Sequence, residues 1–306
     1  MTAVGKTDRP EPHGGSTAYG LLLLSALTLV WGLNWPFMKI SLSEIPVLWF
    51  RTACVGFGGC ALLLISLLSR QPVGLAWRQV PALLLTALFA IVGWHLFTGY
   101  GLTQMPAGRA AIIAFLMPVI AALLSSWLLN EALTANKILA LVIGTGGLAV
   151  LIGPDLVVFQ RAPLGALLMV GAAFAWAMGT VLLKRFNWGR PITTVVGWQL
   201  LAGLVPIGLC AALLEPVPDP SQFSPHVWAA AAFVFLVPMV FGQWAYYRIV
   251  KMLPASIAAI NTLLIPVVGV FSSAWLLGEP VGLREIAALG LICAALAVVL
   301  IIPARA

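Results

Sequence analysis

The chain has 306 residues, 62% of them hydrophobic and 8% charged, with a net charge of +7. A water-soluble core of that size could not hide so much apolar surface, so lipid is the expected solvent for most of the chain. The excess Lys and Arg form no basic cluster, which speaks against a nucleic-acid partner and points instead to membrane topology.

Residues 1–17 are polar, with Pro and Gly, and read as a flexible cytoplasmic tail; no short apolar run ending in a cleavage site marks a signal peptide. A spanning helix takes about 20 apolar residues. Ten segments qualify: Ala18–Lys39, Pro46–Ser69, Val80–Gly101, Pro106–Leu129, Ala135–Ile152, Pro163–Lys184, Pro191–Leu214, His226–Val250, Pro254–Leu277 and Leu283–Ile302. No stretch between them could hold a soluble domain. The expected fold class is an all-α integral membrane protein of ten transmembrane helices. With the N-terminus in the cytoplasm, eleven of the 16 Lys and Arg lie on the inner side. Lys39, Arg109, Arg161 and Arg284 lie outside, and Arg51 lies within a span. This bias puts both termini in the cytoplasm of a multi-pass cell (inner) membrane protein. The four cysteines fall within spans without a CxxC spacing and read as reduced thiols packing as small hydrophobes.

Met105 begins MPAGRAAIIAFLMPVIAALLSSWLLNEAL, and Leu253 begins LPASIAAINTLLIPVVGVFSSAWLLGEPV. The two align without a gap at an offset of 148, which pairs Pro106 with Pro254, Pro118 with Pro266, Trp127 with Trp275 and Glu131 with Glu279. Leucine matches between apolar segments carry little weight; two prolines, a tryptophan and a glutamate in register carry much. The chain therefore reads as two repeats of five helices, 18–153 and 154–303. Five is odd, so the second repeat is inverted, and substrate sites in such proteins lie near the midplane between the halves. Pro118 and Pro266 remove a helical hydrogen bond at matched positions and are hinge candidates, with plain packing as the other reading.

The first helix holds VWGLNWPFMKI. On a helix Trp31, Asn34, Trp35 and Met38 fall at i, i+3, i+4 and i+7, one face. Polar groups in membrane helices face the bundle interior or a cavity, so Asn34 is expected there among aromatic walls. An interfacial belt is the other reading for the tryptophans. Lys39 is placed to snorkel to the headgroups. Adding 148 to His95 gives Gln243, so both halves carry a polar residue at one symmetry-related place, flanked by Trp94 and Trp244. An internal hydrogen bond is the alternative for His95. Arg51 and Gln199 also match, and Arg51, near the start of its span, reads as a structural tie or a snorkel. Asn261 either lines the cavity or bonds another helix. Tyr100, Trp176 and Tyr246 are further lining candidates, and at an offset of 145 Trp176 meets Trp31. Glu131 and Glu279 read as turn-stabilising residues near the next helix N-terminus.

The pieces VWGLNWPFMK, WFR at Trp49–Arg51, and PVIAALLSSWLLNEALT with its echo PVVGVFSSAWLLGEPVG resemble the drug/metabolite transporter superfamily, in its ten-helix EamA-type branch. The resemblance covers nearly all of the chain after the tail, and within the branch the chain is similar to the bacterial YddG-type exporters of aromatic and other amino acids. It implies a carrier fold and export; it says little about substrate.

No intramembrane catalytic constellation appears: there is no GxGD, no HExxH, and all nine acidic residues fall in the tail, loops or span ends. No catalytic residue, cofactor or metal is expected. A lining of Trp, Tyr, Asn, Gln and His suits an uncharged or zwitterionic metabolite with an apolar part, amino acids among them. Sugars, nucleosides or drug-like molecules, with proton coupling, remain the alternative. His95 is the one His inside a span, and its mate Gln243 cannot titrate. Facilitated diffusion or exchange is therefore expected. The expected partners are a small-molecule substrate and membrane lipid, without nucleic acid or a required protein partner.

Overall fold

The computed structural model describes residues 14–132, 134–157, 163–252 and 255–300, and every regular element among them is helical. Ten rods follow one another. α1 is Gly14–Ser41, α2 is Val47–Leu68, α5 is Ala135–Val157, α6 is Pro163–Arg185, α7 is Ile192–Leu214, α9 is Ala255–Leu277 and α10 is Leu283–Leu300. The other three are compound. α3 is Val80–Ala87, a π-helical stretch Leu88–Gly93, then Trp94–Gln104; α8 is Pro225–Leu236, a π-helical stretch Val237–Gly242, then Gln243–Met252. α4 is Ala107–Ala114 followed by Met117–Leu128. Seven of the rods hold long apolar windows able to cross a bilayer; the described apolar parts of α5 and α9, Ala135–Leu151 and Leu264–Leu277, are shorter.

The end at which α1 finishes is termed distal and the other proximal. Contacts between helix ends show that the rods alternate in direction. Lys39 at the end of α1 reaches the end of α3, and Glu215 after α7 reaches the start of α2. Packing follows a pseudo-two-fold pattern that exchanges each helix with the one five later. α2 packs on α7 and α5 on α10, each pair self-matched. α1 packs on α9 as α6 does on α4, and α3 on α6 as α8 does on α1. The fold is thus ten transmembrane helices in two inverted five-helix repeats.

Small residues make these crossings close. A Cβ on Gly59 would lie 2.8 Å from Leu201 Cδ2, and one on Gly197 would lie 2.9 Å from Leu63 Cδ2, where α2 meets α7. The deepest element is the first half of α4, in which every residue from Ala110 to Ala114 is at most 1% exposed. In contrast Trp127 and Trp275, mates across the repeat, are 73% and 81% exposed at opposite ends of the bundle, as residues of an interfacial belt would be.

The repeat also governs local backbone. Asn130 and Gly278, one repeat apart, follow α4 and α9 and both have a positive φ, 53° and 66°. Gly and Asn are the residues that tolerate this left-handed cap, and each turns the following Glu out of its helix axis. The two π-helical stretches likewise occupy matching places in α3 and α8. Each inserts a residue just before His95 or Gln243 and so resets which face those side chains take.

Candidate substrate site

α1, α2 and α3 bring a polar group together near the distal third of the bundle. Asn34 Nδ2 donates to Met38 Sδ at 3.6 Å, one turn along α1. Arg51 Nη1 on α2 donates to the same sulfur at 3.4 Å. The guanidinium also lies 5.6 Å from the centroid of the neighbouring Phe50 ring and passes close over Gly99 of α3, where a Cβ would lie 3.2 Å from Nε. His95, one turn before Gly99, is buried. Within this group Asn34 Oδ1, Arg51 Nε and Nη2, and His95 Nδ1 are buried without a hydrogen-bond partner.

Of the two readings for Arg51 the snorkel is corrected, while the bond to Met38 Sδ ties α2 to α1. Its side chain is 2% exposed and pairs with no carboxylate among the described residues. Burying an ion without a counter-ion costs several kcal/mol. Its repeat mate Gln199, equally buried, donates to Thr86 Oγ1 at 2.8 Å and is satisfied. An ionisable residue within a span was the available signal; nearness to the span end obscured it. Lys39 does not snorkel either. It donates to Leu102 O at 2.5 Å and Met105 O at 3.0 Å, capping the end of α3, because those terminal carbonyls lack helical partners.

Beside the polar group runs an aromatic series. Trp35, 4% exposed, meets Trp94 edge-on at 6.5 Å, and Trp94 meets Trp176 of α6 at 4.9 Å. The first half thereby reaches into the second. Trp31 stands apart from this series and tilts against Tyr246 of α8 at 5.6 Å. It also lies over Gly242, where a Cβ would come within 2.6 Å of the indole nitrogen.

The remaining sequence-predicted residues scatter. Trp244 packs on Phe241 at 5.8 Å with Arg248 over its ring, beside Leu23, Leu24 and Leu27 of α1. Gln243 is half-buried at the start of the last segment of α8. Tyr246 is exposed, and so is Tyr100, which donates to Glu215 Oε1 at 3.3 Å near the distal surface. The side chain of Asn261 lies outside the described residues. α4 is interrupted just ahead of Pro118, whereas α9 runs unbroken through Pro266. None of the four cysteines is in a disulfide, and Cys60 faces outward instead of packing inside.

Carboxylates close the distal end, each on the exposed N–H groups of a helix start. Glu279 accepts from Ala107 N at 2.6 Å and Gly108 N at 2.9 Å, tying α9 to α4. This corrects the expectation that it serves the next helix; that role falls to Glu285, which accepts from Gly282 N at 2.8 Å and pairs with Arg109. Glu215 accepts from Leu48 N at 2.8 Å, and Glu44 from Ser224 N at 2.7 Å. The hydrogen bond to the Ser224 hydroxyl, first, and that to its N–H hold Glu44 below the usual carboxylate range. At the proximal end Glu131, the mate of Glu279, pairs with Lys184 at 2.5 Å and Lys137 at 3.5 Å. The Lys184 hydrogen bond is the main cause holding its carboxyl below the ordinary range.

The sequence pattern of the EamA-like transporter family matches the chain twice, over residues 18–153 and 163–301. The uncharacterized transporter YvbV of Bacillus subtilis is 30% identical over 287 residues, covering 91% of this chain and 90% of that protein. A probable amino-acid metabolite efflux pump of Salmonella typhimurium is 26% identical over 88% of this chain and 91% of its own length. The aromatic amino acid exporter YddG of Ancylobacter novellus is 31% identical over 41% of this chain and 44% of its own. A solved crystal structure superimposes with a TM-score of 0.65 at 22% identity, covering 92% of this chain and 96% of that one, a likeness of fold. With the repeat, the alternating rods and both halves matched, the chain is a multi-pass membrane transporter belonging to the EamA-like family of the drug/metabolite transporter superfamily.

Proposed function

We propose that this transporter is a carrier that exports amino acids, aromatic and bulky neutral ones among them, by alternating access of its two halves, 18–153 and 154–303. The observation that carries the reading is the series Trp35–Trp94–Trp176 running beside Asn34 and His95, both with unmet hydrogen-bonding atoms. A ring stacks on the indoles, while the polar atoms meet a zwitterionic head. The amino-acid efflux named for the Salmonella relative, and aromatic amino acid export for the Ancylobacter one, support the same substrate class. The charge bias supports cytoplasmic termini in the cell membrane. Transport runs by facilitated diffusion or exchange, since His95 lacks a titratable mate and the carboxylates sit at helix ends.

The test is counterflow in proteoliposomes with a panel of amino acids, sugars and nucleosides. Saturable exchange of tryptophan and phenylalanine is expected. Exchange of a sugar or nucleoside, with every amino acid inert, would reverse the choice.

A further inference from the structure

We propose that Arg51 is the anchor for a carboxylate of the transported molecule, with Asn34 Oδ1 placed to accept from its ammonium group. The proposal rests on the amino-acid reading above and assigns the polar half of that site. The guanidinium is buried, and the one hydrogen-bond partner it holds among the described residues is a thioether, bonded through Nη1. The atoms left over, Nε and Nη2, form one edge of the planar group. That edge presents two parallel N–H donors, the fork that receives both oxygens of a carboxylate. Gly99 lets the guanidinium lie close against α3: a Cβ there would lie 2.6 Å from Val47 Cγ1 and 3.2 Å from Arg51 Nε.

The neighbours complete a zwitterion's complement. Asn34 spends its amide nitrogen on Met38 and leaves its oxygen free, an acceptor without a donor. His95 Nδ1 is also free, and the adjoining Trp94 opens the indole series that receives an apolar side chain. Charge narrows the anion. Lys39, the cation nearest along α1, is spent on the carbonyls that end α3. A single guanidinium balances a monoanionic carboxylate and leaves a phosphate dianion half-neutralised. The repeat adds one more argument: Gln199 at the matching place is satisfied by Thr86, so the free edge exists in one half alone and one substrate is anchored per bundle.

The experiment uses the full-length protein, reconstituted for exchange and in detergent for ligand-dependent thermal stability. The probes are tryptophan, tryptophanamide, tryptamine and indole-3-propionate, the last a carboxylate without an ammonium group. The wild type should prefer tryptophan to its amide by about tenfold or more, since a site built for hydrogen bonding rejects the analogue that lacks them. Arg51→Gln should bring the pair within about twofold, and Arg51→Lys should recover part of the preference, as a point charge without the fork. Indole-3-propionate should stabilise the wild type and not Arg51→Gln. Equal handling of acid and amide by the wild type, or an unchanged ratio in Arg51→Gln, would overturn the assignment. If Arg51→Gln does not fold, the wild-type ladder decides alone. If no amino acid exchanges, the amino-acid reading falls. The anion site is then judged by indole-3-propionate: stabilisation confined to the wild type upholds it, and equal or absent stabilisation ends it.

Discussion

Single side chains in this protein are placed by what their neighbours omit. Gly99 matters because a methyl group there would press on Val47 and on the guanidinium of Arg51. Gly99→Ala is expected to cost about 1–3 kcal/mol by overpacking and to weaken tryptophan exchange more than thermal stability alone predicts. A loss of exchange matching the loss of folded protein would mark a purely structural position. Trp94 bridges Trp35 and Trp176, so Trp94→Ala removes two ring contacts worth about 0.5–1.5 kcal/mol each beyond area burial. Trp244→Ala, on the separate cluster with Phe241, should leave substrate affinity within about twofold if the indole series is the binding wall. His95 makes the reverse case. In liposomes with a pH gradient and no substrate gradient, neither wild type nor His95→Gln should accumulate amino acid. Uphill accumulation abolished by that substitution would make His95 a proton relay.

At the scale of elements, helix starts are the latches. Glu279 satisfies two N–H groups of α4 across the distal end, and its mate Glu131 pairs with lysines at the proximal end. A carboxylate on a helix N-terminus contributes about 0.5–2 kcal/mol. Glu279→Gln keeps the shape and loses the charge, so it should loosen the distal closure. A cysteine introduced at Thr103, beside that end, should then react several-fold faster with a membrane-impermeant maleimide. An unchanged rate would show that packing of α4, and not the carboxylate, holds the end shut. The π-helical stretches Leu88–Gly93 and Val237–Gly242 set the rotational phase of the helical segments Trp94–Gln104 and Gln243–Met252. Sequence periodicity could not show them, since an inserted residue looks like any other apolar residue until its hydrogen bonds are drawn.

For the whole molecule, the inverted repeat supplies two similar bodies of opposite orientation, and the charge bias selects which way they sit. Fused to either terminus, a fluorescent protein should be bright and alkaline phosphatase inactive in a bacterial host. The opposite pattern at either end would refute the cytoplasmic placement.

Much of this was legible without coordinates. Ten apolar segments and the 148-residue register depend on composition and period, which are local properties of a chain in lipid. The matching caps at Asn130 and Gly278 belong to the same class, because tolerance of a positive φ resides in the residue itself. Folding alone decided which polar atoms are left without partners. Arg51 and Gln199 look alike in the register, yet Thr86 lies within reach of one and no described carboxylate within reach of the other. Glu279 serves a helix start 172 residues away and not the next one. Satisfaction of a buried donor or acceptor is a property of the atoms that surround it, and those come from helices distant in the chain.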